Sequence, residues 1–211
     1  MKLKKFIPGL VETIKESGFD QTPLEVQDLT IPKIMSGGDL IVNAPVGSGK
    51  STALVISVIQ QLKFAVEEAP RAVIIVPTKE KAFELEEQFQ RFGKKTDLRT
   101  FVVFDKGILQ YQKDMIYEGL DILIGTPLRI DELLSATGIP TVKLKILAFD
   151  DAEEILVPRY QTIVYRLAYG LPKVQKVLLA NEWTNRFDEL EERALTNPII
   201  IDAAEEGDEE E

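Results

Sequence analysis

The residues best suited to chemistry are Ala44-Pro45-Val46-Gly47-Ser48-Gly49-Lys50-Ser51. Glycine at 47 and 49 lets the backbone curl, so that successive N–H groups face one anionic group at a helix N-terminus. From there Lys50 can reach the β- and γ-phosphates of a nucleotide, and the Ser51 hydroxyl can ligate Mg²⁺. An ordinary Gly/Ser turn is the alternative, but an apolar strand precedes these residues and a long helical pattern follows them. The second group is Ile146-Leu147-Ala148-Phe149-Asp150-Asp151-Ala152-Glu153, an apolar strand that ends in acids. A carboxylate on a rigid strand can hold the metal while its neighbour orients an attacking water. Alone, this run fits an acidic helix N-terminus equally well. Beside a phosphate loop, Asp150 as a metal-holding group is the stronger reading.

Such groups need a scaffold that delivers several strand ends to one edge. Helical spacing covers Phe6 to Ser17, stopping at Gly18, and Leu24 to Met35. Gly37-Gly38 turns into a strand at Leu40 to Val42, and Thr52 to Val66 has the pattern of a buried helix. Apolar strands and amphipathic helices then alternate: Ala72–Val76, Glu80–Phe92, Leu98–Phe104, Ile108–Tyr117, Ile122–Ile124, Arg129–Leu134, Ile146–Phe149, Tyr160–Ala168, Val174–Leu179, Arg186–Leu195 and Ile199–Ile201. Short apolar runs separated by helices predict an α/β fold, with a mainly parallel sheet covered on both faces. Ligands bind such sheets outside the carboxyl ends of the strands, where Ala44, Pro77, Thr126, Asp150 and Ala180 fall.

A chain of 211 residues, 45% hydrophobic, can bury one substantial core. It has no cysteine and no histidine, which excludes disulfides, thiolate or imidazole metal sites and a His base. Hydrolysis would therefore run on carboxylates, hydroxyls, Lys, Arg and a bound metal. No apolar run approaches a membrane span, and Met1 to Lys5 has no apolar stretch behind it. The expected location is cytoplasmic, away from membranes. The formal charge is −10, and Asp202 to Glu211 holds seven acids without a base. That tail is either a solvated end or an internal mimic of a polyanion. Nucleic acid could be bound only locally, not through net charge.

Taken together, the motifs resemble the first RecA-like domain of a DEAD-box RNA helicase, from about Phe6 to Asp202. The family's A-x-T-G-S-G-K-T is similar to residues 44–51, and its D-E-A-D to Asp150-Asp151-Ala152-Glu153. P-T-R-E-L-A is matched by Pro77-Thr78-Lys79-Glu80-Lys81-Ala82, and T-P-G-R by Thr126-Pro127-Leu128-Arg129. Gly18-Phe19 and Gln27-Asp28-Leu29-Thr30-Ile31-Pro32 resemble the adenine-reading Q motif. The resemblance implies a single P-loop NTPase domain of RecA type over residues 37–202. A Q-motif-like helical region would precede it at 1–36, and an acidic disordered tail would follow at 203–211. It implies ATP and Mg²⁺ on Ala44, Gly47, Ser48, Gly49, Lys50, Ser51 and Asp150, with Gln27 reading adenine and Phe19 packing near the base. Lys50, Asp150 and Asp151 would be the catalytic residues, with Ser51 and Asp150 on the metal. Pro77, Thr78, Lys79, Thr126, Pro127 and Arg129 would hold the backbone of single-stranded RNA.

The departures from the pattern fall on the chemistry. Asp151 replaces the water-positioning Glu, withdrawing its carboxylate by about one C–C bond, roughly 1.5 Å. A misplacement of about 1 Å can lower a rate on the order of a hundredfold. Glu153 replaces the last Asp and is expected to disturb contact with the third motif, S-A-T, here Ala180-Asn181-Glu182 without either hydroxyl. Leu128 stands where the family has Gly, and Asp105 is expected to repel phosphate. After Asn197-Pro198 the chain runs into acids where a complete helicase continues into a second RecA-like domain. An arginine finger, as such a domain supplies, is worth about 10³ to 10⁵ in rate. The expectation is an ATP-binding helicase-like domain with weak or no turnover alone. The alternatives are a regulatory module that binds RNA or a helicase partner, and an ATPase active once a partner protein adds the second domain.

Overall fold

The structure is a computed structural model describing residues 3–19, 21–66, 69–136, 138–171 and 173–203. The expected acidic tail beyond Ala203 lies outside the described residues. The apolar runs form seven strands: β1 (Leu40–Asn43), β2 (Ala72–Ile75), β3 (Thr100–Val103), β4 (Ile122–Gly125), β5 (Ile146–Asp150), β6 (Gln175–Ala180) and β7 (Ile199–Asp202). All pair in parallel, in the order β3-β4-β2-β5-β6-β1-β7. The mainly parallel sheet expected is thus wholly parallel among the described residues, and every strand ends at the same edge.

A Leu3–Lys5 3₁₀ turn precedes α1 (Pro8–Glu16), α2 (Glu25–Ser36), α3 (Lys50–Leu62) and α4 (Lys79–Gly93). The remaining helices are α5 (Leu109–Tyr117), α6 (Pro127–Ser135), α7 (Ala152–Ile155), α8 (Gln161–Gly170) and α9 (Asn185–Ala194). Successive strand side chains alternate faces, and this sorts the core into two layers. Leu40, Val42, Ile74 and Ala148 pack with α1 to α4, whereas Ile41, Val73, Ile75 and Phe149 pack with α5 to α9. Among the described residues no helix is long and apolar enough to cross a membrane.

The helix expected over Thr52 to Val66 stops at Leu62, with Lys63 in the left-handed region at φ +65°. Buried Arg71 explains the stop. Its guanidinium donates to Leu62 O at 3.1 Å, Phe64 O at 2.5 Å and Asp121 Oδ1 at 2.7 Å. Carbonyls at a helix end need outside donors, and a remote arginine supplies them. At the far edge, Ala203 N donates to Asn43 O at 2.8 Å, and Asn43 Nδ2 donates to Asp202 Oδ1 at 2.9 Å.

Helix α1 lies close against the turn after α4. A Cβ on Gly9 would sit 2.5 Å from the Lys95 carbonyl oxygen. Lys95 also donates to Glu12 and Glu16, and Lys94 pairs with Glu16. Gly9→Ala would gain up to about 1 kcal/mol of helix propensity, but overpacking against rigid backbone costs about 1–3 kcal/mol. A net destabilisation of about 1 kcal/mol is expected in urea unfolding, and a stabilised variant would refute this packing.

Candidate functional site

Strand β1 hands its chain directly to the phosphate loop. Ala44 N donates to Ala180 O at 3.1 Å, so the loop begins beside the end of β6. Gly47 and Gly49 adopt φ of +82° and +84°. Gly49 is required twice over, since a Cβ there would lie 2.0 Å from Gln27 Nε2. The loop opens α3, whose first N–H groups have no acceptor within the helix. Lys50 is buried and donates to Ala44 O at 2.5 Å, Pro45 O at 2.9 Å and Asn181 Oδ1 at 2.9 Å, with Ser48 Oγ at 3.4 Å. Burial pushes its ammonium below the usual lysine value, opposed by Asp150, Glu153 and Asp151.

Asp150 ends β5 inside the molecule, where Ser51 Oγ donates to its Oδ1 at 3.1 Å. Burial pushes this carboxyl up to about 6 against the lowering effect of Ser51, and neighbouring Asp151 raises it further. Asp151 caps α7 in the left-handed region, φ +55° and ψ +53°, a conformation that Asp tolerates better than most residues. Its carboxylate is held from both sides, by Lys81 Nζ at 2.9 Å and by Asn181 Nδ2 at 3.0 Å. Glu153 does not lose the third motif. Its longer side chain accepts from Asn181 Nδ2 at 2.6 Å and from Asn181 N at 3.2 Å.

The Gln27 amide is buried and used by the protein itself. Its Oε1 accepts from Leu24 N at 2.9 Å and its Nε2 donates to Gly49 O at 3.4 Å. Phe19 meets Phe92 edge-on, with ring centroids 5.6 Å apart, and so joins the core margin. Beside Gln27 opens a cavity of about 650 Å³ lined by Lys5, Phe6, Gln27, Ile31, Pro32 and Met35. That is room for a base and sugar. Lys5 and Phe6 carried no sequence signal for a site, because an aromatic before a first helix has the pattern of a core residue.

The residues expected on RNA share the same edge in two groups. Pro77 is half-buried; Thr78 caps α4, its Oγ1 accepting from Lys81 N at 3.2 Å. Exposed Lys79 lies over the Phe104 ring, 4.4 Å from its centroid, and 5.7 Å from the centroid of Phe83. Thr126, Pro127 and Arg129 are buried around the loop after β3. Thr126 Oγ1 donates to Asp105 Oδ1 at 2.8 Å, and Arg129 Nη2 donates to Asp105 O at 2.5 Å and Gly107 O at 2.9 Å. Asp105, expected to face phosphate, instead binds the hydroxyl expected to do so.

Residues 24–181 match the DEAD/DEAH box helicase family. The ATP-dependent RNA helicase DBP10 of Meyerozyma guilliermondii is 30% identical over 94% of this chain and 22% of that protein. The ATP-dependent rRNA helicase RRP3 of Kluyveromyces lactis is 29% identical over 92% of this chain and 40% of that protein. The chain thus spans between about a fifth and two fifths of the length of these relatives.

The buried Asp150 generates a prediction for the metal-free chain. A carboxyl whose pKa is raised by folding lowers stability progressively as pH climbs from its unfolded to its folded value, and fully above the latter. Near neutral pH with a chelator present, Asp150→Asn is expected to stabilise by about 1–2 kcal/mol. The gain should shrink as pH falls below about 6 and vanish only near the ordinary value of 3.8, where the unfolded carboxyl is protonated as well. Thermal melts across that range check it, and a pH-independent gain refutes it.

Proposed function

The chain belongs to the DEAD/DEAH box helicase family, and we propose that it is an ATP·Mg²⁺-binding RecA-like domain with weak turnover of its own. One observation carries this reading: Lys50, the Ser51 hydroxyl and the Asp150 carboxylate converge at the end of β5 beside the glycine loop. In it, the backbone of Ala44, Gly47, Ser48 and Gly49 cradles the triphosphate, with Lys50 on the outer phosphates. Gln27 reads adenine from the cavity wall, Phe6 flanks the base, and Phe19 supports that wall from behind.

Ser51 and Asp150 fit Mg²⁺, because both offer hard oxygen donors, and a buried carboxyl pushed up to about 6 is one that a cation would relieve. When bound, the metal would neutralise charge on the outer phosphates. Weak turnover follows from Asp151, whose shortened carboxylate is engaged by Lys81 and Asn181 and so is poorly free to orient water. Unwinding, as in the longer relatives, is proposed only where a second RecA-like domain is supplied by a partner.

Single-stranded RNA is the proposed second ligand, along Pro77, Thr78 and Lys79 and across to Thr126, Pro127 and Arg129. A second reading is favoured by the bonds from Thr126 and Arg129 to the Asp105–Gly107 loop. With those donors occupied, the chain would serve as a regulatory module that binds a helicase partner and grips RNA weakly.

Isothermal titration with ATP·Mg²⁺ tests the first reading. Binding is expected in the native chain and a loss of about tenfold or more in Lys50→Ala, the size of one charged hydrogen bond. No binding by the native chain overturns it. For the second ligand, Asp105→Ala should raise affinity for an oligouridylate, read by fluorescence anisotropy, by about tenfold on the same grounds. An unchanged, weak affinity would favour the protein-binding role instead.

A further inference from the structure

Asn181 stands between the phosphate-loop lysine and the acids of the second motif, and each polar atom of its side chain is engaged. Oδ1 accepts from Lys50 at 2.9 Å, while Nδ2 donates to Asp151 at 3.0 Å and to Glu153 at 2.6 Å. An amide suits this place because it is neutral, with an acceptor for the cation and two donors for the anions. The family pattern has alanine here, which could make none of these bonds. A second departure reaches the same group from the opposite side: Lys81, where the pattern has leucine, pairs with Asp151 at 2.9 Å. An ammonium has three N–H donors, and Ala44 O, Pro45 O and Asn181 Oδ1 occupy them on Lys50 at 2.5–2.9 Å.

We propose that Asn181 is a latch: a positioning residue that holds Lys50 turned into its own loop and must release it before a polyphosphate can bind. The nucleotide part of this inference rests on Lys50 facing phosphate, as proposed above. Release also frees the Asn181 amide from its place between Lys50 and the two carboxylates. Entry of a phosphate would thereby be transmitted to Asp151 and Glu153 at the end of β5. The latch lowers nucleotide affinity and couples occupancy of the loop to the arrangement of the acids.

The test compares the native chain with Asn181→Ala and with Asn181→Leu, which keeps the side-chain bulk but makes no hydrogen bond. Two readouts are taken: acylation of Lys50 in the unliganded chain, followed by mass spectrometry, and calorimetric affinity for ATP·Mg²⁺. Melting curves confirm that each variant is folded. Both variants should acylate Lys50 severalfold faster and bind ATP·Mg²⁺ about fivefold to tenfold more tightly, the range of one hydrogen bond to a charged group. Unchanged acylation in both variants overturns the latch whatever the affinities are. A rise in Asn181→Ala alone also overturns it, since lost bulk would then be the cause. Faster acylation in both, with no ATP binding by any form, upholds the latch and sinks the nucleotide reading instead.

Discussion

Because β1 and β6 run parallel and in register, Asn43 lies opposite Ala180, and the segments leaving the two strands start side by side. That pairing brings Lys50 within reach of Asn181, 131 positions later in the chain. The β5–β6 pairing, with Asp150 opposite Leu179, adds the acids to the same cluster. Parallel strands need crossover helices, so the geometry of the cluster depends on both layers of the core. A shift of β6 by one residue would turn its side chains to the opposite face and dismantle the lysine–amide–carboxylate chain.

Within that frame, Lys50, Asp150 and Asp151 are engaged by the protein's own atoms. Buried polar groups without partners are destabilising, and here carbonyls, one amide and one hydroxyl supply partners to Lys50 and the acids. At the second group of residues the Asp105–Gly107 backbone engages Nη2 of Arg129, while its buried Nε and Nη1 make no hydrogen bond among the described residues. Satisfying a cation internally sets a threshold that any incoming anion has to exceed.

The strands, the phosphate loop and the acidic strand end were legible because each is a local pattern: apolar runs, paired glycines, an Asp after Phe149. What was not legible depends on contacts between distant positions. The end of α3 is set by Arg71, which no helical pattern over residues 52–66 contains. Asn181 read as a motif that had lost its hydroxyls, because only the register of β6 reveals which groups its amide meets. Asp105 read as a repulsive charge for the same reason, since its partner Thr126 lies on a neighbouring strand end. Glu153 read as a disturbed contact, and its extra methylene instead lengthens its reach to Asn181.

The junction at Ala203 bears on how this domain meets anything joined to it. Ala203 N and Asp202 are both tied to Asn43, the last residue before the phosphate loop. Neighbouring strands lie about 4.8 Å apart, so a covalent attachment at Ala203 is leashed next to the ligand edge. Covalent linkage in general raises the local abundance of a joined group to about the millimolar range where the connection spans the sites. An appended acidic stretch, or a companion domain, therefore starts with an advantage over the same group diffusing in from solution.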